Sequence, residues 1–227
     1  MRFLRAMFRL FCLLVLTVTL YLVWIGRIPL IARNRRSSWR GTMVGFWARS
    51  VLKLLGVHVQ VRGIPPQPPF FLVSNHLSYL DIVVFQSLVP CVFLAKSEVS
   101  RWPVIGWLAR EIGTLFIKRE SRRDVLRANR EIADELAKGD SVILFPEGTS
   151  SKGEEVLPFK SALFRPFEAG NIPIHHAAIS YQTPDGEVSA SESVCWWGDM
   201  TFGSHFFDLF PPEVQPRKPR WPQPQAA

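Results

Sequence analysis

The sequence predicts an α/β fold: a mixed, largely parallel sheet flanked by helices, with N-terminal membrane helices ahead of it. Three observations predict it. Short apolar runs of strand length alternate with helical patterns from Gly56 onward. Most of those runs are apolar throughout, as strands buried on both faces are. The first 55 residues instead carry one uncharged apolar segment and one Trp- and Arg-containing helical pattern.

Residues 10–26 hold no charge and span ~26 Å as a helix at ~1.5 Å per residue. That is slightly less than a hydrocarbon core of about 30 Å. Ile28 to Ile31 extend it, with Arg27 snorkelling. Arg2, Arg5 and Arg9 would suit a signal peptide, but the apolar run is long and no A-x-A-like site follows, so the reading is a retained membrane segment. Arg27, Arg33, Arg35, Arg36 and Arg40 follow it, a bias that places the downstream domain in the cytoplasm. Basic residues on both flanks also fit insertion into one leaflet. Residues 38–55 read as a second helix, with Trp39, Met43, Phe46, Trp47, Val51, Leu54 and Leu55 at helical spacing. It suits either the membrane interface or a core-facing position.

Val57, Val59 and Val61 alternate as a half-buried strand would. Residues 68–74, 91–96, 114–118, 141–145 and 174–181 are apolar runs suited to buried strands. Residues 122–138 make the clearest helix, with Val125, Ile132, Ala133 and Leu136 on one face and Gly139 as its stop. The tail from Pro211 is rich in Pro, Arg and Gln and reads as disordered. The chain thus divides into membrane-associated helices at 1–55, a domain at 56–210 and a tail at 211–227.

Charge excludes one class of function. The net charge is +8, yet residues 1–55 hold ten Lys or Arg and no acid, leaving 17 basic against 19 acidic residues in the remainder. The basic excess belongs to the apolar N-terminal part, where it fits an anionic membrane surface and not nucleic acid. Cys12, Cys91 and Cys195 are scattered, so neither a disulfide framework nor a zinc site is expected.

Three polar constellations fall at strand ends, where ligands of α/β sheets sit. In the first, Ser74 to Asp81, an apolar strand ends in Asn75-His76 and a helix starts near Ser78. Across that turn Asp81 can fold back onto His76. A carboxylate on one imidazole nitrogen fixes the tautomer and leaves the other nitrogen as a general base. Ser78 and Asp81 also fit an S-x-x-D capping pattern, in which Asp81 only caps the helix. The second runs Gly113 to Arg119. There Arg119 can grip a phosphate bidentately and Lys118 offers a point charge, unless both are a solvated strand end. The third runs Phe145 to Gly153. Glu147 can bond a substrate hydroxyl, and the amides of a loop containing Gly148 and Thr149 can meet an anion, unless the loop is a plain connection.

The order and spacing of these three resemble the glycerolipid acyltransferase family, of the lysophosphatidate acyltransferase type. His76 and Asp81 match its H-x4-D motif; Gly113, Phe116 and Arg119 its second block; FPEGTSS its third; Ile172-Pro173-Ile174 its fourth. The resemblance covers roughly residues 38–207. Two departures stand out: His175 and His176 follow the fourth block where a second Pro is usual, and proline-rich sequence follows residues 196–207 where relatives carry a further strand and helix.

The resemblance implies a glycerol-3-phosphate acyltransferase-like fold and a 1-acylglycerol-3-phosphate O-acyltransferase. His76 and Asp81 would be catalytic. Lys118, Arg119, Glu147, Gly148 and Thr149 would bind substrate. The acyl donor would be acyl-CoA or acyl carrier protein, the acceptor a lysolipid, and no metal or organic cofactor would be needed. The site would face the cytoplasm at a bacterial inner membrane. A lyso-ornithine lipid O-acyltransferase shares these motifs. The other classes left open are an inactive membrane-anchored lipid-binding protein and a hydrolase using His76 and water.

Overall fold

The computed structural model describes residues 2–118, 120–160, 164, 173–208 and 215–220. Helix α1 (Arg2–Arg27) and helix α2 (Arg36–Leu55) are joined by two 3-10 turns. Then follow β1 (Phe71–Ser74), α3 (Leu80–Leu88), β2 (Val92–Lys96), a 3-10 turn (Ser97–Arg101), α4 (Ile105–Glu111) and β3 (Leu115–Ile117). The domain continues with α5 (Arg122–Ala137), β4 (Val142–Leu144), β5 (Ile174–Gln182), α6 (Ala190–Ser193) and α7 (Phe202–Asp208). Strand β6 (Gln215–Arg220) comes last.

The six strands lie in the order β3-β2-β4-β1-β5-β6. All neighbours from β3 to β5 are parallel, and β6 is antiparallel to β5. The expected mixed, largely parallel sheet is therefore the one observed. Alternate strand residues feed two cores, as a period of two requires. Leu72, Phe93 and Ile143 pack on one face with Val51, Leu52 and Leu55 of α2 and Leu80, Val84 and Phe85 of α3. Phe71, Val73, Val92, Leu94, Val142 and Leu144 pack on the other with Ala128, Ile132 and Leu136 of α5. Helix α5 starts at Ser121, whose hydroxyl accepts the Asp124 amide, and gives way at Gly139, where φ is +90°.

Two expectations are corrected here. No ladder includes Val57 to Val61, and only Arg62 makes an isolated bridge. Val57 is instead buried in the core beneath α2 and α3. Within the tail, Gln215–Arg220 forms the edge strand β6, facing Ala178 to Gln182. An edge position is where Pro216 and Pro219 can be accommodated without costing a central ladder its donors.

Helix α2 faces the core, burying Gly45, Ala48, Val51, Leu52 and Leu55. Helix α1 is long and apolar enough to cross a membrane by length and composition. It also lies along the domain. Ala6, Leu10, Leu13 and Leu16 pack towards the core, and Trp47 Nε1 donates to Thr17 Oγ1 at 3.0 Å. The Tyr21 and Trp107 rings meet edge-on, centroids 4.4 Å apart. Its opposite face leaves Leu4, Phe8, Phe11, Leu14, Val18 and Leu22 exposed.

Candidate active site

Strand β1 is apolar through Val73 and then turns polar, so its carboxyl end delivers Asn75 and His76 to the sheet's edge. The Asn75 side chain continues the β1–β5 ladder. Its Nδ2 donates to Ile179 O at 3.0 Å and its Oδ1 accepts the Ile179 amide at 2.8 Å. That fixes where the chain leaves the sheet. His76 is then held three ways. Its backbone carbonyl accepts the Ser151 amide at 3.0 Å, its amide donates to Glu147 Oε1 at 3.2 Å, and its ring stacks on Phe145 at 4.1 Å.

Asp81 stands in the first turn of α3 and is fully buried. His76 Nδ1 lies 2.8 Å from Asp81 Oδ2. The same oxygen accepts the amides of Leu77 at 2.7 Å and Ser78 at 3.0 Å. The capping and orienting readings of Asp81 are thus one arrangement: the carboxylate closes the helix start and faces His76 as it does so. With Nδ1 committed to Asp81, Nε2 is the ring atom left with a lone pair. The His76 side chain keeps 18% of its surface exposed, enough for a substrate to reach it.

Glu147 follows the neighbouring strand β4 and is buried. Its Oε2 has no hydrogen-bond partner among the described residues. Burial pushes its carboxyl above the ordinary range, opposed by the amides of His76 and Leu157. Gly148 is buried in the same turn, its amide on the Phe145 carbonyl at 3.2 Å, while Thr149 is exposed.

His76, Asp81, Glu147 and Gly148 are therefore brought together, because β1 and β4 are neighbours. Lys118 is not. It follows β3, three strands from β1, which at ~4.8 Å per strand is ~14 Å across the sheet. Its side chain is exposed and its amide is bonded to Asp124. Arg119 and Ile172 lie outside the described residues. His175 and His176 are successive residues of β5 and leave opposite faces. His205 is buried, with Nδ1 3.0 Å from the Tyr79 hydroxyl, in keeping with a packing residue.

One participant was not foreseen from sequence. The Tyr181 hydroxyl on β5 donates to Asp81 Oδ1 at 2.6 Å. Burial and the Asp81 charge both push its phenol well above the usual tyrosine range, so it stays a donor. The segment 194–200 packs against the turns that carry His76 and Glu147. The Trp196 amide donates to Leu77 O at 2.8 Å, the Ser150 hydroxyl bonds Trp196 O, and the Lys152 ammonium lies 5.5 Å from the Trp197 ring centre.

Residues 57–180 match the family model described as Acyltransferase. The lyso-ornithine lipid O-acyltransferase of Rhodobacter capsulatus is 36% identical over 171 residues, 74% of this chain and 61% of that protein. The 1-acyl-sn-glycerol-3-phosphate acyltransferase of Neisseria meningitidis is 38% identical over 147 residues, 64% of this chain and 58% of that protein. The chain thus spans about 60% of the length of these two curated relatives. The crystal structure of the 1-acyl-sn-glycerophosphate acyltransferase PlsC of Thermotoga maritima superposes with a TM-score of 0.62 at 21% identity, covering 100% of this chain and 88% of that one. That likeness is one of fold. The histidine and aspartate of an H-x4-D spacing, the adjoining buried glutamate and the extent of the family match agree: this chain belongs to the Acyltransferase family.

Proposed function

We propose that the protein transfers a fatty acyl group from acyl-CoA or acyl carrier protein to the free 2-hydroxyl of 1-acyl-glycerol-3-phosphate, forming phosphatidate. The observation that carries this is the His76–Asp81 pair at 2.8 Å, partly open to solvent on the histidine side and sealed on the aspartate side. Among the described residues no serine or cysteine side chain bonds the His76 ring, so the acceptor hydroxyl is itself the nucleophile. His76 Nε2 takes the hydroxyl proton as the oxygen attacks the thioester carbonyl. Asp81 holds the resulting imidazolium. The tetrahedral intermediate collapses with loss of the thiolate, which takes the proton back from His76. General-base help of this kind is worth ~10²–10⁴-fold, and holding both substrates in line supplies more. Glu147 Oε2 and the Gly148–Thr149 turn position the acceptor, and its phosphate falls to Arg119, Lys118 lying too far across the sheet to hold it.

A second acceptor has support. The Rhodobacter capsulatus relative is named for lyso-ornithine lipid and covers more of this chain than the Neisseria protein does. The mechanism is unchanged with that acceptor. The lysolipid would be met at the cytoplasmic face of a bacterial inner membrane. There α1 sits in one leaflet, because Ala6 to Tyr21 keep company with the domain along ~22 Å of helix.

Labelled acyl-CoA and acyl carrier protein, offered with a panel of lysolipids to the purified protein and to His76→Ala, test the proposal. Transfer to lysophosphatidate that vanishes in the variant is expected. Transfer to lyso-ornithine lipid alone would replace the acceptor. Fatty acid released without an acceptor would point to a hydrolase, and no product from folded protein to a lipid-binding role.

A further inference from the structure

The connection between β2 and β3 holds an apolar tip that nothing in the catalytic proposal uses. After the 3-10 turn Ser97–Arg101, the chain passes Trp102, Pro103 and Val104 before α4 begins. Val104 has φ 62° and ψ −56°, and the Ile105 amide bonds the Pro103 carbonyl at 2.6 Å. This is a γ-turn of the rare, strained hand, and a β-branched residue occupies its centre. It is the one non-glycine residue at positive φ among those described. The turn is enforced from behind. Helix α4 lies so close to the 3-10 turn that a Cβ on Gly106 would come within 2.6 Å of the Val99 carbonyl oxygen. Arg110 also clamps the Ser100 carbonyl. Strain of this kind persists only where the surrounding structure enforces it.

What the strain achieves is display. Val104 is 67% exposed and Trp107 39% exposed, both aliphatic or aromatic surface turned to solvent. The Trp107 ring rests on the half-buried Tyr21 of α1, next in the chain to the exposed Leu22, so the tip abuts the border of that helix's exposed apolar face. Arg101 and Arg110 stand exposed on either side of it, with Glu98 as the nearest exposed acid on the turn. Behind the tip, Trp102 meets the rings of Trp196 and Phe202 at 6.0 and 6.1 Å, and Trp196 is bonded to Leu77 beside the catalytic histidine.

We propose that the Trp102–Trp107 turn is a second membrane-seating element, which inserts Val104 and Trp107 into an anionic bilayer beside α1 and sets the height of the active site above it. This rests on the reading of α1 as membrane-seated. Continuity with α1 through Tyr21 and Trp107 gives the occupant. An apolar tip rimmed by arginines is complementary to acyl chains below and anionic headgroups above. A tip set off from the helix, with a second direction of insertion, also fixes the rotation that α1 alone would leave free.

A depth probe tests this on the full chain. With Cys12→Ser as background, an environment-sensitive fluorophore is placed on Val104→Cys, on Phe11→Cys of α1's exposed face, or on Leu126→Cys of α5. Burial pushes the Cys91 and Cys195 thiols up, the latter to about 12, so labelling goes to the introduced cysteine. On phosphatidylethanolamine–phosphatidylglycerol vesicles, a blue shift and quenching by spin-labelled acyl chains are expected at positions 104 and 11, and neither at 126. Insertion at 11 without insertion at 104 overturns the proposal and leaves the α1 reading intact. No insertion at 11 or 104 overturns both. In activity, Val104→Asp is expected to lower kcat/KM about tenfold on vesicle-borne lysolipid, the factor for withdrawing one aliphatic side chain from an apolar phase. A short-chain acceptor dissolved in water should be turned over as before. An unchanged rate on vesicles would overturn the proposal.

Discussion

At the residue scale, the site turns on how Asp81 is held. Its Oδ2 receives His76 Nδ1 and two amides, and its Oδ1 receives the Tyr181 hydroxyl. Replacing Tyr181 by Phe keeps the volume and strands a buried carboxylate oxygen, at ~1–3 kcal/mol of stability. Turnover should fall while KM for donor and acceptor stays level, because Tyr181 acts through Asp81. Calorimetry and steady-state kinetics check this, and a full kcat in Tyr181→Phe would deny the phenol any part in positioning. Glu147 gives a second prediction. Burial raises its carboxyl in the native state, so the folded protein keeps that proton to higher pH than the unfolded chain does. The stability tied to it is complete below the unfolded value and is lost as pH rises through the native one. Glu147→Gln removes that loss. Its melting temperature should exceed the parent's at neutral pH, with the gap closing on acidification, while acceptor turnover drops. The short-range pairing of His76 with Asp81 was legible because a strand-to-helix turn folds five residues back on themselves. Tyr181 was not, since nothing local to a residue 100 positions away marks which face of β5 meets Asp81.

At the element scale, strands buried on both faces announce themselves, and β1, β2 and β4 all lie within apolar runs read from the sequence. Val57 to Val61 alternates equally well but forms no ladder, since alternation marks one buried face and here that face is taken by the core under α2 and α3, with Val57 buried among them. Gly113 shows the converse, a residue whose family motif was visible but whose reason was not. It sits at φ +84°, and a Cβ there would lie 2.6 Å from the Arg40 guanidinium. Arg40 in turn reaches Asp140 at 3.2 Å and so ties α2 to the end of α5. Gly113→Ala therefore strains the backbone and displaces that link, at ~1–3 kcal/mol. In a double-mutant cycle with Arg40→Ala, part of the cost should disappear, because the steric share needs the arginine and the backbone share does not. Strictly additive melting shifts would show that the glycine serves φ alone.

At the scale of the whole molecule, charge and hydrophobicity are segregated along the chain and in space. Ten basic residues and no acid lie in the first 55, and the remainder is net −2. The apolar face of α1 is exposed on the same part. Two forces of different range then act on the same surface. Attraction of the arginines to anionic lipid is screened beyond ~8–10 Å at ordinary salt, whereas burial of Leu4, Phe8, Phe11, Leu14, Val18 and Leu22 is not. Association with phosphatidylglycerol vesicles should weaken as salt rises but level off above zero, at the value set by apolar burial. On zwitterionic vesicles the salt dependence should be nearly flat from the start. Replacing Leu14 and Val18 by Asn should lower the plateau and keep the slope. Replacing Arg33, Arg35 and Arg36 by Gln should flatten the slope and keep the plateau. Flotation of the two variants against salt separates these terms. If both variants lost the plateau together, the arginines would be needed for insertion itself, and the domain would be held at the surface by charge before α1 enters the leaflet.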